Sequence, residues 1–191
     1  MIKKILIYLG IFSVFFPVFD HPARAASTPS IRDDTPTAIN LPIPQRPHER
    51  SYLGLSGTGH FKLSQIKAPV VIVEVFSMYC PHCQKNATEV NKLYQLIEDN
   101  PYVKDKIKLI GIGAGNSSYE VEVFRKKYDI PFPLFADKDY SVHKALGEVR
   151  TPYFMGIKNN KDGTYRVFYS KVGGVEKADE FLEMMLKLSG L

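Results

Sequence analysis

Val70-Val71-Ile72-Val73-Glu74-Val75-Phe76-Ser77-Met78-Tyr79-Cys80-Pro81-His82-Cys83 is the stretch that decides the fold. Its first seven residues form an almost unbroken β-branched and aromatic run, the pattern of a strand covered on both faces. Beyond Cys83, the apolar residues Ala87, Val90, Leu93, Tyr94 and Ile97 recur at helical spacing until Asn100-Pro101 stops them. The two cysteines therefore lie at a strand-to-helix junction.

A cysteine at the first turn of a helix faces unpaired backbone N–H groups and the positive end of the helix dipole, and both favour thiolate over thiol. Cys80 has that place, and Pro81 is tolerated at the first helical residue because its missing N–H has no helical partner to lose. Cys83 stands one turn further in, within disulfide reach. This divides the labour: Cys80 attacks a disulfide and Cys83 resolves the mixed disulfide. A single C-x-x-C is also half of a zinc site, but neither a second C-x-x-C nor a close His pair completes four ligands. Attachment of c-type haem needs His after the second cysteine, where Gln84 stands. The chain has only these 2 cysteines, and a bridge between them closes too small a loop to staple a fold. The pair reads as redox chemistry with no cofactor beyond its own disulfide, and no metal.

Two neighbours carry alternatives. Glu74 interrupts the buried run. Beneath the cysteines its desolvated carboxyl would hold its proton more tightly and exchange it with Cys83, whereas a bulge would turn it to solvent. His82 lies between the cysteines, where ring and backbone can stabilise charge on Cys80, or where the imidazole is simply solvated.

Further along, Ile107 to Ile112 reads as a second buried strand, and Ser117 with Glu120 as a capping box opening a helix. Pro133 to Ala136 makes a short strand and Ser141 to Leu146 a short helix ended by Gly147. Tyr153 to Ile157 and Tyr165 to Tyr169 form an antiparallel hairpin. A terminal helix carries Ala178, Phe181, Leu182, Met185 and Leu188. The alternation predicts an α/β fold with a largely parallel centre, which with the antiparallel hairpin makes a central mixed sheet flanked by helices. Thr151-Pro152 opens one of those strands; such a dipeptide is ordinarily trans.

On the N-terminal side, Tyr52 to Leu55 and His60 to Leu63 flank Ser56-Gly57-Thr58-Gly59, which predicts a β-hairpin. Residues 26–50, with Pro29, Pro36, Pro42, Pro44 and Pro47, read as an extended Pro-rich arm. Lys3 and Lys4, an apolar run from Ile5 to Phe19 and Ala23-Arg24-Ala25 have the layout of a cleavable signal peptide over residues 1–25, the alternative being an uncleaved membrane anchor. One domain over residues 51–191 remains. The leader accounts for part of the formal charge of +5, and no basic block points to nucleic acid.

The segment from Glu74 to Cys83 closely resembles the active-site segment of Dsb-type periplasmic disulfide oxidoreductases in the thioredoxin superfamily. The resemblance implies Cys80 as nucleophile, Cys83 as resolving cysteine, Glu74 as the buried acid, and Pro152 as a cis-proline beside the disulfide, with Thr151 and Pro152 in contact with substrate. The remainder resembles the TlpA or redoxin branch, through the N-terminal hairpin and an inserted helix-strand unit from Ser117 to Ala136. Together these imply an exported, periplasmic enzyme that exchanges disulfides with protein thiols and draws on a membrane or periplasmic redox partner. The motif implies oxidation, because stabilising the Cys80 thiolate stabilises the reduced form. The frame also fits a reductase serving cytochrome c maturation or similar tasks, a peroxiredoxin-like peroxidase, or a copper-binding chaperone using the cysteines with His143 or His60.

Overall fold

The computed structural model describes residues 39–191, so the expected leader and the first part of the expected arm lie outside the described residues. The run Val70–Phe76 is a strand, β3, buried along its whole length. It runs directly into α2, Pro81–Glu98. Before it come β1 (Asn40–Pro42), α1 (Pro47–Leu53) and β2 (His60–Lys62). After it come β4 (Ile107–Ala114), α3 (Ser118–Lys127), β5 (Leu134–Asp137), α4 (Ser141–Ala145), β6 (Tyr153–Asn159), β7 (Tyr165–Val172) and α5 (Ala178–Ser189).

Five strands form one mixed sheet in the order β5-β4-β3-β6-β7. β3 is parallel to β4 and β4 to β5, whereas β6 is antiparallel to both β3 and β7. The apolar run in β3 has its cause in two cores, since successive side chains point to opposite faces. Val70, Ile72 and Phe76 pack with Cys83, Val90 and Leu93 of α2, Phe124 of α3 and Phe181 of α5. Val71, Val73 and Val75 pack with Leu41 of β1, Leu53 of α1, Phe61 of β2 and Val142 of α4. Helix α2 is tied to the start of α5 by Asn86, whose Nδ2 donates to the Val175 carbonyl at 2.6 Å while its Oδ1 accepts the Val175 N–H at 2.9 Å. Glu89 accepts the Ala178 N–H at 3.1 Å and so caps α5.

The inserted unit is present as α3 and β5, with Ser117 and Glu120 forming the expected capping box. The N-terminal hairpin is not. Residues 52 and 53 end a helix, and β2 pairs antiparallel with β1, Leu41 opposite Phe61. Pro47 at the first turn and Gly54 in the left-handed region punctuate α1. A seven-residue helix gives too few turns for its period to show.

The arm also needs correcting from residue 39 onward. Ile39, Leu41 and Ile43 are buried against the second core, so three alternating apolar residues outweigh the prolines among them. Pro42 is accommodated because β1 has a single strand partner. The compact unit thus begins before residue 51. A loose arm would tolerate Leu41→Ala, whereas removal of a buried leucine side chain from this core is expected to lower unfolding free energy by about 2–5 kcal/mol, read by urea denaturation.

Candidate functional site

Residues 77–80 leave β3 in a tight turn closed by the Cys80 N–H donating to the Ser77 carbonyl at 3.0 Å. Cys80 is the N-cap of α2, with Pro81 as the first helical residue. Its side chain occupies the place a Ser or Asp would hold at a cap: the sulfur accepts the Cys83 N–H at 3.4 Å. On its other side the thiol donates to the Thr151 carbonyl at 3.4 Å. The β3–β6 register explains the meeting, since Val75 pairs with Tyr153 and the next residue back, Pro152, falls beside the exit of β3. The Thr151–Pro152 peptide bond is cis.

The two free thiols differ sharply in environment. Burial pushes the Cys80 thiol up, but hydrogen bonds from the Thr151 side chain and from the backbone N–H groups of Cys83 and His82 outweigh it and bring Cys80 below the ordinary thiol value. Cys83 is fully buried. Burial drives its thiol well above the ordinary range, over the opposing hydrogen bond with the Ser77 backbone, and the nearby charges of Glu74 and Cys80 add to the rise.

Glu74 is buried rather than turned out by a bulge; it pairs in regular register with Gly111 and Phe154. Strand alternation puts it on the face of Val70, Ile72 and Phe76, the face that packs on α2 and Cys83. Desolvation, then the charge of Cys80, pushes its carboxyl up to about 8. The protonated form of Glu74 is therefore favoured at neutral pH. His82 contributes through its backbone N–H. Its ring is exposed and lines a groove of about 310 Å³ with Lys85, Pro152 and Lys171. His143 lines a second groove on the other flank, with Ser77 and Thr151, and its Nε2 is 2.8 Å from the Val149 carbonyl oxygen. His60 lies in β2, in the other layer. Among the described residues no three His, Cys, Asp or Glu side chains are grouped to hold a metal, and no helix is long and apolar enough to cross a membrane.

Several contacts around the turn have no part in the sequence reading. Oδ1 of Asn116 accepts the Met78 N–H at 2.8 Å, Nε2 of Gln84 donates to the Met78 carbonyl at 2.7 Å, and the Tyr79 hydroxyl donates to Glu120. Glu120 also receives the Ser117 N–H and hydroxyl, which with Tyr79 pull its carboxyl down to about 2. The capping box was the signal available. It puts Asn116 at the carboxyl end of β4, and in a parallel sheet that end opens beside the carboxyl end of β3, where such folds place their sites.

A mixed sheet that delivers a C-x-x-C to a helix N-terminus, opposite a cis-proline, defines a thioredoxin-like protein with a dithiol centre. Residues 51–169 match the AhpC/TSA family, and the chain belongs to it. The thiol-disulfide oxidoreductase ResA of Bacillus thuringiensis subsp. konkukian is 30% identical over 127 residues, which are 66% of this chain and 66% of that protein, just under two thirds of its length. Two solved structures share the fold. A thiol-disulfide isomerase from Corynebacterium glutamicum superposes with a TM-score of 0.54 at 20% identity, covering 73% of this chain and 90% of that one. The thioredoxin domain of a thiol-disulfide oxidoreductase from Bacteroides vulgatus does so with a TM-score of 0.53 at 13% identity, covering 67% and 87%.

The buried acid has a consequence for stability. The ordinary carboxyl value is 4.5 and the folded value about 8, so between them the folded state holds a proton that the unfolded chain releases. Its contribution to stability is therefore lost as pH rises through that window, by up to about 1.4 kcal/mol per pH unit. Urea unfolding of wild type and Glu74→Gln at pH 5, 6 and 7 should show Gln gaining on Glu at that slope. A constant difference across the three would mean that the carboxyl is already ionised.

Proposed function

We propose that this protein is an exported thiol-disulfide oxidoreductase that exchanges disulfides with protein substrates through Cys80 and Cys83, acting as an oxidant. The observation that carries the reading is the Cys80 sulfur at the α2 N-cap, half-exposed and hydrogen-bonded to the Cys83 N–H, with Cys83 buried behind it. The names of its relatives support the chemistry, and the basic, apolar start of the chain supports export.

In the oxidising direction a substrate thiolate attacks Sγ of Cys80 in the Cys80–Cys83 disulfide. A substrate–Cys80 bond forms, the intramolecular S–S bond breaks, and Cys83 leaves with the electron pair. Its anion is poorly tolerated where it is buried, and the protonated Glu74 carboxyl supplies the proton. A second substrate thiolate then attacks its own sulfur in the mixed disulfide, so the substrate disulfide forms and Cys80 departs as the stabilised thiolate. Two electrons pass to the protein, which becomes the dithiol, and a periplasmic or membrane partner must remove them.

The direction rests on which form is stabilised. Each pKa unit by which a thiolate is favoured below ambient pH is worth about 1.4 kcal/mol, roughly 30 mV for two electrons. A protonated Glu74 adds no opposing charge at neutral pH. The domain equilibrated against glutathione should show a potential above about −270 mV, the thioredoxin value, and a potential at or below it would make the protein a reductase. Turnover of hydrogen peroxide would instead favour a peroxidase. Cys83→Ser should trap mixed disulfides and Cys80→Ser should not. Glu74→Gln should slow release of Cys83 at neutral pH by about a hundredfold, the scale of one positioned acid, measured by stopped-flow exchange with a dithiol peptide.

A further inference from the structure

The turn that presents Cys80 leaves two groups of Met78 unpaired within the turn itself. Its closing bond runs from the Cys80 N–H to the Ser77 carbonyl, so Met78 and Tyr79 occupy the corners and the Met78 N–H and C=O point away from it. Asn116 and Gln84 satisfy them from opposite sides, at 2.8 and 2.7 Å. Asn116 is fully buried and stands immediately before the N-cap of α3. Its Nδ2 has no hydrogen-bond partner among the described residues. A buried amide with its donor unmet is unfavourable, so the oxygen is the atom the fold uses. The space for it is specific too: a Cβ on Gly113 would lie 3.1 Å from both Cβ and Oδ1 of Asn116.

We propose that Asn116 is a positioning residue for the Cys80 sulfur, fixing the turn through the Met78 N–H so that the sulfur stays over the first N–H groups of α2. The inference rests on Cys80 being the nucleophile. Without Oδ1 the Met78 peptide rotates to find another acceptor, and the movement reaches Cys80 within two residues. The Cys83 N–H reaches the sulfur at 3.4 Å, and hydrogen bonds weaken steeply once the angle worsens. A small displacement therefore takes the anion off its donor.

The test follows iodoacetamide alkylation of reduced full-length protein against pH, with the labelled cysteine mapped by mass, alongside urea unfolding of each variant. Asn116→Ala should raise the Cys80 midpoint by about one pH unit, roughly tenfold less thiolate on the acid side. Gly113→Ala, whose added Cβ would press on Val121 at 2.9 Å and on Asn116 at 3.1 Å, should move it in the same direction and carries the comparison if Asn116→Ala does not fold. Asn91→Ala is the control. It removes another bond between a side-chain amide and the backbone, here Nδ2 donating to the Tyr128 carbonyl at 2.8 Å, and should lower stability while leaving the midpoint in place. An unchanged midpoint in the Asn116 and Gly113 variants, or an equal shift in the Asn91 variant, overturns the proposal. The midpoint is read without any protein substrate, so a wild type lacking disulfide exchange would overturn the functional reading separately.

Discussion

Strand β3 has an apolar layer against each of its faces, and the chain must leave that slab at its carboxyl end to reach solvent. It does so in a few residues, from fully buried Phe76 through half-buried Ser77 and Met78 to exposed Tyr79, and then returns with Cys83. The site depends on this step in polarity. Two thiols three residues apart stand on either side of it, so identical groups acquire opposite tendencies: Cys80 toward the anion and Cys83 toward the thiol. Burial and the orphan N–H groups of a helix end act in these opposite directions on the two thiols.

The same slab determines what Glu74 does. An ionised carboxylate under the dithiol would oppose a thiolate on Cys80 and would be useless to a departing Cys83. Desolvation makes it neutral at ordinary pH, which removes the repulsion and leaves a proton to give. In the proposed exchange, one residue in the middle of an apolar strand would bear on both halves of the reaction. A polar residue in a strand sealed on both sides is paired, neutral or functional, and Glu74 is the second of these and is placed for the third.

Legibility in the sequence followed the length and regularity of each signal. β3 was readable because its seven residues form an almost unbroken β-branched and aromatic run, α2 because its apolar residues hold a helical period, and Ser117 with Glu120 because a capping box is a local chemical pattern. The N-terminal layer was not. Its pieces are three, seven and three residues long, and the pairing of Leu41 with Phe61 spans a helix too short for its seven residues of pattern to reveal. Asn116 was hidden for a different reason. Its partner Met78 is thirty-eight positions away, and only the parallel alignment of β3 with β4 brings the two together.

That alignment depends on where β4 lacks side chains. Gly111 sits opposite Glu74, and a Cβ there would collide with Leu134 of β5 and lie 3.3 Å from the Phe76 ring. Gly113 sits opposite Phe76, where a Cβ would lie 2.9 Å from Val121 of α3 as well as against Asn116. Both glycines lie beside the carboxyl half of β3, so α3 closes onto the sheet, and the Leu134 side chain of β5 lies over it, next to the reactive turn. Phe76 can then stack on Phe124, ring centroids 4.6 Å apart. A strand selected only for apolar burial would have filled these positions. Leaving them empty lets the first turn of α3 reach the turn that carries Cys80, and so the geometry of a dithiol on one side of the sheet is set in part by what β4 omits.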